Sequence, residues 1–196
     1  MRAIRPKVPE SVARRKLRGW FDLIRRHAGF APRLKGRTIP RIELVWLPHY
    51  LIGFHAELHG KPSRINVGVN AYSGAFTVYH GDGDTTTLPA EAEQFTPKLS
   101  PDEAAVLARK GMQKYVILAR GQRNKPTMGD MLDTELFYYP YWVYYYERRP
   151  GRIDVRVLDA STGEKPGHKA KLAIIDAFTH AARVTPRPDP SALPGG

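Results

Sequence analysis

Seven histidines, nineteen acidic residues and no cysteine bound the chemistry open to this chain of 196 residues. Without cysteine there is no disulfide framework, no thiolate metal site and no cysteine nucleophile. His55 and His59 stand four apart, a spacing that pairs metal ligands on a helix face. They fall at the end of a predicted strand, where that spacing means little, and no His-Glu-x-x-His run accompanies them. Asp82 and Asp84 start like a calcium loop, with Glu93 at its last ligand position. Thr87 stands where such a loop needs glycine for its sharp turn, and Thr86 replaces an acidic ligand, so a hairpin or plain loop is expected. No Gly-x-Ser-x-Gly elbow, Walker loop or dinucleotide fingerprint occurs. The chain is therefore expected to hold no catalytic residues, no metal and no cofactor.

Charge is the stronger signal. Residues 1–41 hold 13 Lys and Arg against 2 acids, whereas residues 42–196 hold 18 against 17, so one segment carries nearly all of the net +12. A concentrated field attracts anionic partners far better than the same charge dispersed. Arg14, Arg15, Lys16, Arg18, Arg25 and Arg26 surround an apolar stripe with Trp20 and Phe21, and Arg33, Lys35, Arg37 and Arg41 follow. Three readings stand side by side: a solvated helix face, a site for nucleic-acid phosphates, and a dock for an acidic protein or an anionic membrane surface.

The elements that must carry these residues follow from an internal similarity. Shifting the sequence by 92 residues places Pro9 on Pro101, Ala13 on Ala105, Gly19 on Gly111, Glu43 on Glu135, Leu44 on Leu136 and Pro48 on Pro140, without a gap. Each copy opens with a predicted helix. Residues 9–28 begin with Pro9 and Glu10, which suit a first turn, and repeat Leu17, Phe21, Ile24 and Ala28 at helical spacing. Residues 101–120 begin with Ser100 as cap and Glu103 completing a capping box. Strands are predicted at 41–58, 64–70 and 74–80, then at 134–148 and 152–159. A final helix over 168–183 centres its stripe on Leu172, Ile175, Phe178 and Ala181, flanked by Ile174 and Ala177.

Strand residues alternate between two faces. One face reads Leu44, Trp46, Pro48, Tyr50, Ile52, Phe54 and Leu136, Tyr138, Pro140, Trp142, Tyr144, Tyr146, which suits a core beneath the helices. The other reads Val45, Leu47, His49, Leu51, Gly53, His55 and Phe137, Tyr139, Tyr141, Val143, Tyr145, Glu147, too apolar to be solvated. Packing of the two sheets, a homodimer, or a tyrosine-lined groove for a ligand or partner segment would cover it. Leu47, His49, Tyr139, Tyr141 and Tyr145 are the expected protein interface. Pro48 and Pro140 cannot donate to a ladder, so an edge position, a bulge or a kink is expected at each.

Residues 151–165, Gly-Arg-Ile-Asp-Val-Arg-Val-Leu-Asp-Ala-Ser-Thr-Gly-Glu-Lys, resemble the end of a PepSY-type domain. Asp159, Thr162, Gly163 and Glu164 match its closing signature, and the first copy keeps Asn70, Ser73 and Gly74 in the matching places. The resemblance implies a helix followed by an antiparallel sheet, a role in binding or inhibiting partners, and neither cofactor nor catalytic residues. Modules of that type are usually exported or membrane-tethered. This chain shows no apolar run of the ~18 residues that cross a bilayer and no secretory apolar stretch, so a cytoplasmic location is expected. An Arg-rich, acid-poor start is also a transit-peptide feature, which the single serine in residues 1–41, Ser11, weakens.

The expected architecture is α+β: two tandem helix-plus-antiparallel-sheet repeats of PepSY or cystatin-like type. The expected division is a flexible basic N-terminus (1–8), a first repeat (9–80), a connection (81–100), a second repeat (101–183) and a disordered Pro-rich tail (184–196). The expected function is a non-enzymatic interaction module that binds a partner protein through its aromatic sheet and an anionic partner through residues 1–41. The alternative is a nucleic-acid-binding protein using that same basic segment.

Overall fold

The computed structural model describes residues 1–18, 33–34, 37–38, 40–58, 61–79, 85–118, 127–149 and 152–184. Expectations that fall on residues 19–32, 35, 59–60, 80–84 or 185–196 lie outside them, including Arg25, Arg26, Lys35, His59, Asp82 and Asp84. The strands are β1 (Arg2–Ile4), β2 (Arg33–Leu34), β3 (Arg37–Thr38), β4 (Arg41–Leu58), β5 (Lys61–Asn70), β6 (Phe76–Tyr79), β7 (Thr85–Thr87), β8 (Thr127–Arg149) and β9 (Arg152–Asp159). The helices are α1 (Glu10–Leu17), α2 (Pro101–Leu118) and α3 (His168–Val184).

The architecture is mixed α+β, built on a seven-stranded sheet of order β6-β5-β4-β8-β1-β7, with β9 also pairing β8. All its pairings are antiparallel except the single bridge of β1 to β8 at Ala3 and Tyr138. The two longest strands run side by side through its centre, in unbroken register from Arg41↔Tyr145 to Gly53↔Asp133. Segments 9–80 and 101–183 thus share one sheet. Leu47 pairs with Tyr139, the residue onto which the 92-residue shift carries it.

Pro48 and Pro140 lie inside these central strands, and neither sits at a sheet edge or a bulge. The carbonyl of Pro48 accepts from Ala71 N at 3.0 Å and that of Pro140 from Ala160 N at 3.1 Å. A strand residue directs its N–H and C=O to the same side. Each missing donor therefore faces the side where β5 or β9 has just turned away, and the β4–β8 ladder loses nothing.

The helices cross over. On one face α2 lays Ala104, Ala108 and Met112 on Ile52, Phe54 and Val67, all fully buried. Also on that face, α1 lays Ala13 and Leu17 on Tyr144 and Leu158. Each helix therefore covers the hairpin that the other half supplies. Small residues on the helices let aromatic side chains of the sheet fill the gap, and each large side chain so buried contributes about 1.5–3 kcal/mol. The capping box forms as the sequence indicates: Ser100 N donates to Glu103 Oε2 at 2.8 Å, and Glu103 N donates to Ser100 Oγ at 3.2 Å.

Four expectations change. The first helix ends at Leu17, because Arg18 is extended at φ −65°, ψ 130°, so it does not run to 28 as one helix; the next residue is glycine, the type favoured just past a helix end. Residues 2–4, placed in a flexible N-terminus, form β1, and Ala3 is fully buried. Three residues are too few to show a periodicity, which is why the strand was not legible. The connection 81–100 includes β7, and Phe95 within it is buried. Finally, the second apolar face is covered by α3, through Ala173, Ile174 and Ala177. The buried stripe of α3 is turned from the expected one, leaving Leu172 49% and Ile175 42% exposed.

Candidate functional site

Two turns frame the site. β5 ends at Asn70 and β9 at Asp159, opposite His49 and Tyr141 respectively. Gly74 and Gly163 close the turns at φ 62° and 75°, a region open to glycine and strained for other residues. Gly74 N donates to Asn70 O, and Gly163 N to Asp159 O, both at 2.9 Å. Asn70 Oδ1 accepts from the backbone N–H of Tyr72 and Ser73, and Asp159 Oδ1 from that of Ser161 and Thr162. These are the side-chain-to-backbone bonds for which Asn and Asp are selected in turns.

The remaining polar atoms differ. His49 is buried, and its Nδ1 lies 3.1 Å from the Leu47 carbonyl. A carbonyl only accepts, so Nδ1 carries the proton and Nε2 is an acceptor, which Asn70 Nδ2 satisfies at 3.2 Å. Burial holds the His49 pKa down to about 4, against weaker upward pulls from the Leu47 carbonyl and Asp159, so the ring is neutral at pH 7. In the other turn, Asp159 Oδ2 accepts from Tyr139 Oη at 2.8 Å, and Ser161 Oγ touches the same hydroxyl.

Between the turns, β6 and the start of α3 lies a cavity of about 540 Å³. Its walls include Tyr79, Tyr139, Tyr141 and His49. Tyr79 lies across Gly68, where a Cβ would come 2.5 Å from the ring, so glycine there makes room for the tyrosine. Tyr139 packs its ring 5.2 Å from Tyr141 and 6.1 Å from Tyr79, centroid to centroid. Burial, first among the causes, raises the pKa of all three phenols well above the ordinary tyrosine value. They remain protonated donors.

The five residues expected at a protein interface are thus buried within the chain. Leu47, His49, Tyr139, Tyr141 and Tyr145 are 0%, 7%, 8%, 7% and 4% exposed. Three of them, His49, Tyr139 and Tyr141, line the cavity. Tyr145 packs instead against Phe178 of α3 and under the Arg41 guanidinium, 4.7 Å from its ring centroid.

Among the described residues, the cations of the basic segment have different settings. Arg14 pairs with Glu10, and Lys16 Nζ donates to the Gly163 carbonyl at 2.7 Å. Arg15 is exposed and Arg18 half-buried. Arg33 and Arg37 belong to the separate β2–β3 pair. A cationic surface unforeseen from the sequence lies elsewhere. Arg148, Arg149 and Arg152 are exposed at the β8–β9 hairpin and line a groove with Ile153, Ile175 and the ion pair of Lys171 and Asp154. Through Lys171 that groove meets a second, lined by Leu17 of α1, Arg156, Lys165 and His168. Its signal was the run Arg148-Arg149-Pro150-Gly151-Arg152, which reads first as a turn.

Among the described residues no group of three or more metal-ligating side chains converges, and no helix is long and apolar enough to cross a membrane. No protein-family model, curated protein or solved structure matches this chain.

Proposed function

We propose that this chain is a non-enzymatic binding module of two PepSY-like repeats that holds an acidic segment of a partner protein in its arginine-lined groove. The duplication is supported by the shared hydrogen bonding of the Asn70 and Asp159 turns and by the self-pairing of positions 47 and 139. Tyr50 Oη donates to the Leu99 carbonyl and Trp142 Nε1 to the Val8 carbonyl, so the sequence-matched positions 50 and 142 anchor corresponding segments ahead of each helix.

One observation carries the partner class: three exposed guanidinia, Arg148, Arg149 and Arg152, flank the exposed aliphatic side chain of Ile153, 38% exposed, with Ile175 beside it. Guanidinia pair carboxylates through a planar fork, and the aliphatic floor suits the apolar side chains of a peptide. The aromatic face lies beneath α3, so the protein contact moves from that face to this groove. A second reading, phosphate binding by nucleic acid, draws on the same guanidinia, which serve phosphates equally well.

The test is binding of an acidic peptide with interspersed leucines and of single-stranded RNA across a salt series. Peptide binding is expected to weaken with salt and to fall about tenfold or more in Arg148→Ala/Arg149→Ala/Arg152→Ala, and further in Ile153→Ser. RNA binding that ignores Ile153→Ser, in the absence of peptide binding, replaces the first reading with the second. No binding of either at low salt overturns both.

A further inference from the structure

We infer that the tyrosine-lined cavity receives a small molecule with an apolar or aromatic body, a neutral oxygen at its inner end and an anionic group at its mouth. This goes beyond the groove, which lies outside that cavity. The cavity, about 540 Å³, falls within the roughly 300–1,000 Å³ of small-molecule sites. Its lining sets three phenol donors beside the His49 ring and the Asp159 carboxylate. Tyr141 is more than nine-tenths buried, and with Tyr79 and Tyr139 it lines the cavity. A ligand oxygen beside these phenols would accept a hydrogen bond from them. Two inner acceptors are engaged: Asp159 by Ser161, Thr162 and Tyr139, and His49 Nε2 by Asn70.

The charge of Asp159 decides which end enters. An anionic group seated among Tyr79, Tyr139 and Tyr141 would face that carboxylate, so the inner end must be neutral: a hydroxyl or carbonyl. At the lining's exposed edge, Lys165 and Lys169 outnumber Glu164. An anionic group is favoured there. The tyrosine rings between supply flat apolar walls for an aromatic body.

The probe is 4-hydroxybenzoate, with benzoate and 4-hydroxybenzamide as arms lacking the inner oxygen and the charge. Binding is followed by NMR of the full chain. 4-Hydroxybenzoate is expected to shift the ring signals of Tyr79 and Tyr141 and the amide of Ala170. Benzoate and 4-hydroxybenzamide should each bind several-fold more weakly. Tyr141→Phe should weaken 4-hydroxybenzoate about tenfold and bring it level with benzoate, while the amide spectrum away from the cavity stays unchanged. Lys165→Ala/Lys169→Ala should bring 4-hydroxybenzoate level with 4-hydroxybenzamide. The Arg148→Ala/Arg149→Ala/Arg152→Ala variant should bind all three as the unaltered protein does, which separates this site from the groove. Absence of shifts at about 10 mM probe, a regime that detects even millimolar affinity, overturns the inference. So does a Tyr141→Phe protein that binds 4-hydroxybenzoate undiminished.

Discussion

At the end of β5, Asn70 locks its turn with one side-chain atom and a buried histidine with the other; at the end of β9, Asp159 locks an equivalent turn and a tyrosine hydroxyl. The backbone asks only for an acceptor at Oδ1, which both residues provide. The second atom is set by a side chain on the adjacent strand. His49 Nε2 has a lone pair and requires a donor, hence an amide. The Tyr139 hydroxyl carries a proton and suits a carboxylate. One backbone plan therefore holds two different polar interiors, one built on an amide and one on a carboxylate, around a single cavity.

Three experiments break or sharpen that contrast. The largest effect is expected from Asn70→Asp. It sets a carboxylate oxygen against the Nε2 lone pair and buries a charge beside it, costing about 3 kcal/mol at pH 7 in urea unfolding. The loss should shrink on acidification, because a protonated His49 pairs with the introduced carboxylate. A uniform loss at all pH values would mean that the turn, not the histidine contact, is damaged.

Next comes the pH dependence of the unaltered protein. A histidine whose pKa falls from 6.5 unfolded to about 4 folded lets the unfolded chain bind more protons between those values. Stability is then full above pH 6.5 and is lost as pH falls toward 4. Between pH 7 and 4.5 the loss from this group is about 2.5 kcal/mol. His49→Gln should remove that part of the slope; an unchanged slope would assign it to other groups.

The smallest effect is expected from Asp159→Asn. Oδ1 still accepts from Ser161 and Thr162, and the amide replacing Oδ2 can donate to the Tyr139 oxygen, so the cost is about 1 kcal/mol. A cost equal to that of Asn70→Asp would erase the distinction between the two turns.

Much of this was legible along the chain. The β-rich run from Arg41 to Leu58, the capping box at Ser100 and Glu103, and the glycine-closed turns at Gly74 and Gly163 are written in local residue types, because periodicity, caps and positive φ are properties of a few neighbouring residues. The short strands at Arg2–Ile4 and Thr85–Thr87 were not, since they are strands by pairing with each other and, for the first, with β8. The basic segment illustrates the same limit from the other side. Charge counting found its thirteen cations but not that Arg14 and Lys16 already have partners, nor that the arginines near Gly151 border an aliphatic groove.

Alternation of side chains and turn chemistry, acting over ten residues or fewer, were enough to specify the long aromatic strands and their closing turns. Which helix covers which hairpin, that the final helix closes the tyrosine face, and that three phenols meet around one cavity arise from contacts between segments tens of residues apart. Those contacts are chosen by the competition for buried area among all the elements together, a quantity no single stretch of sequence contains.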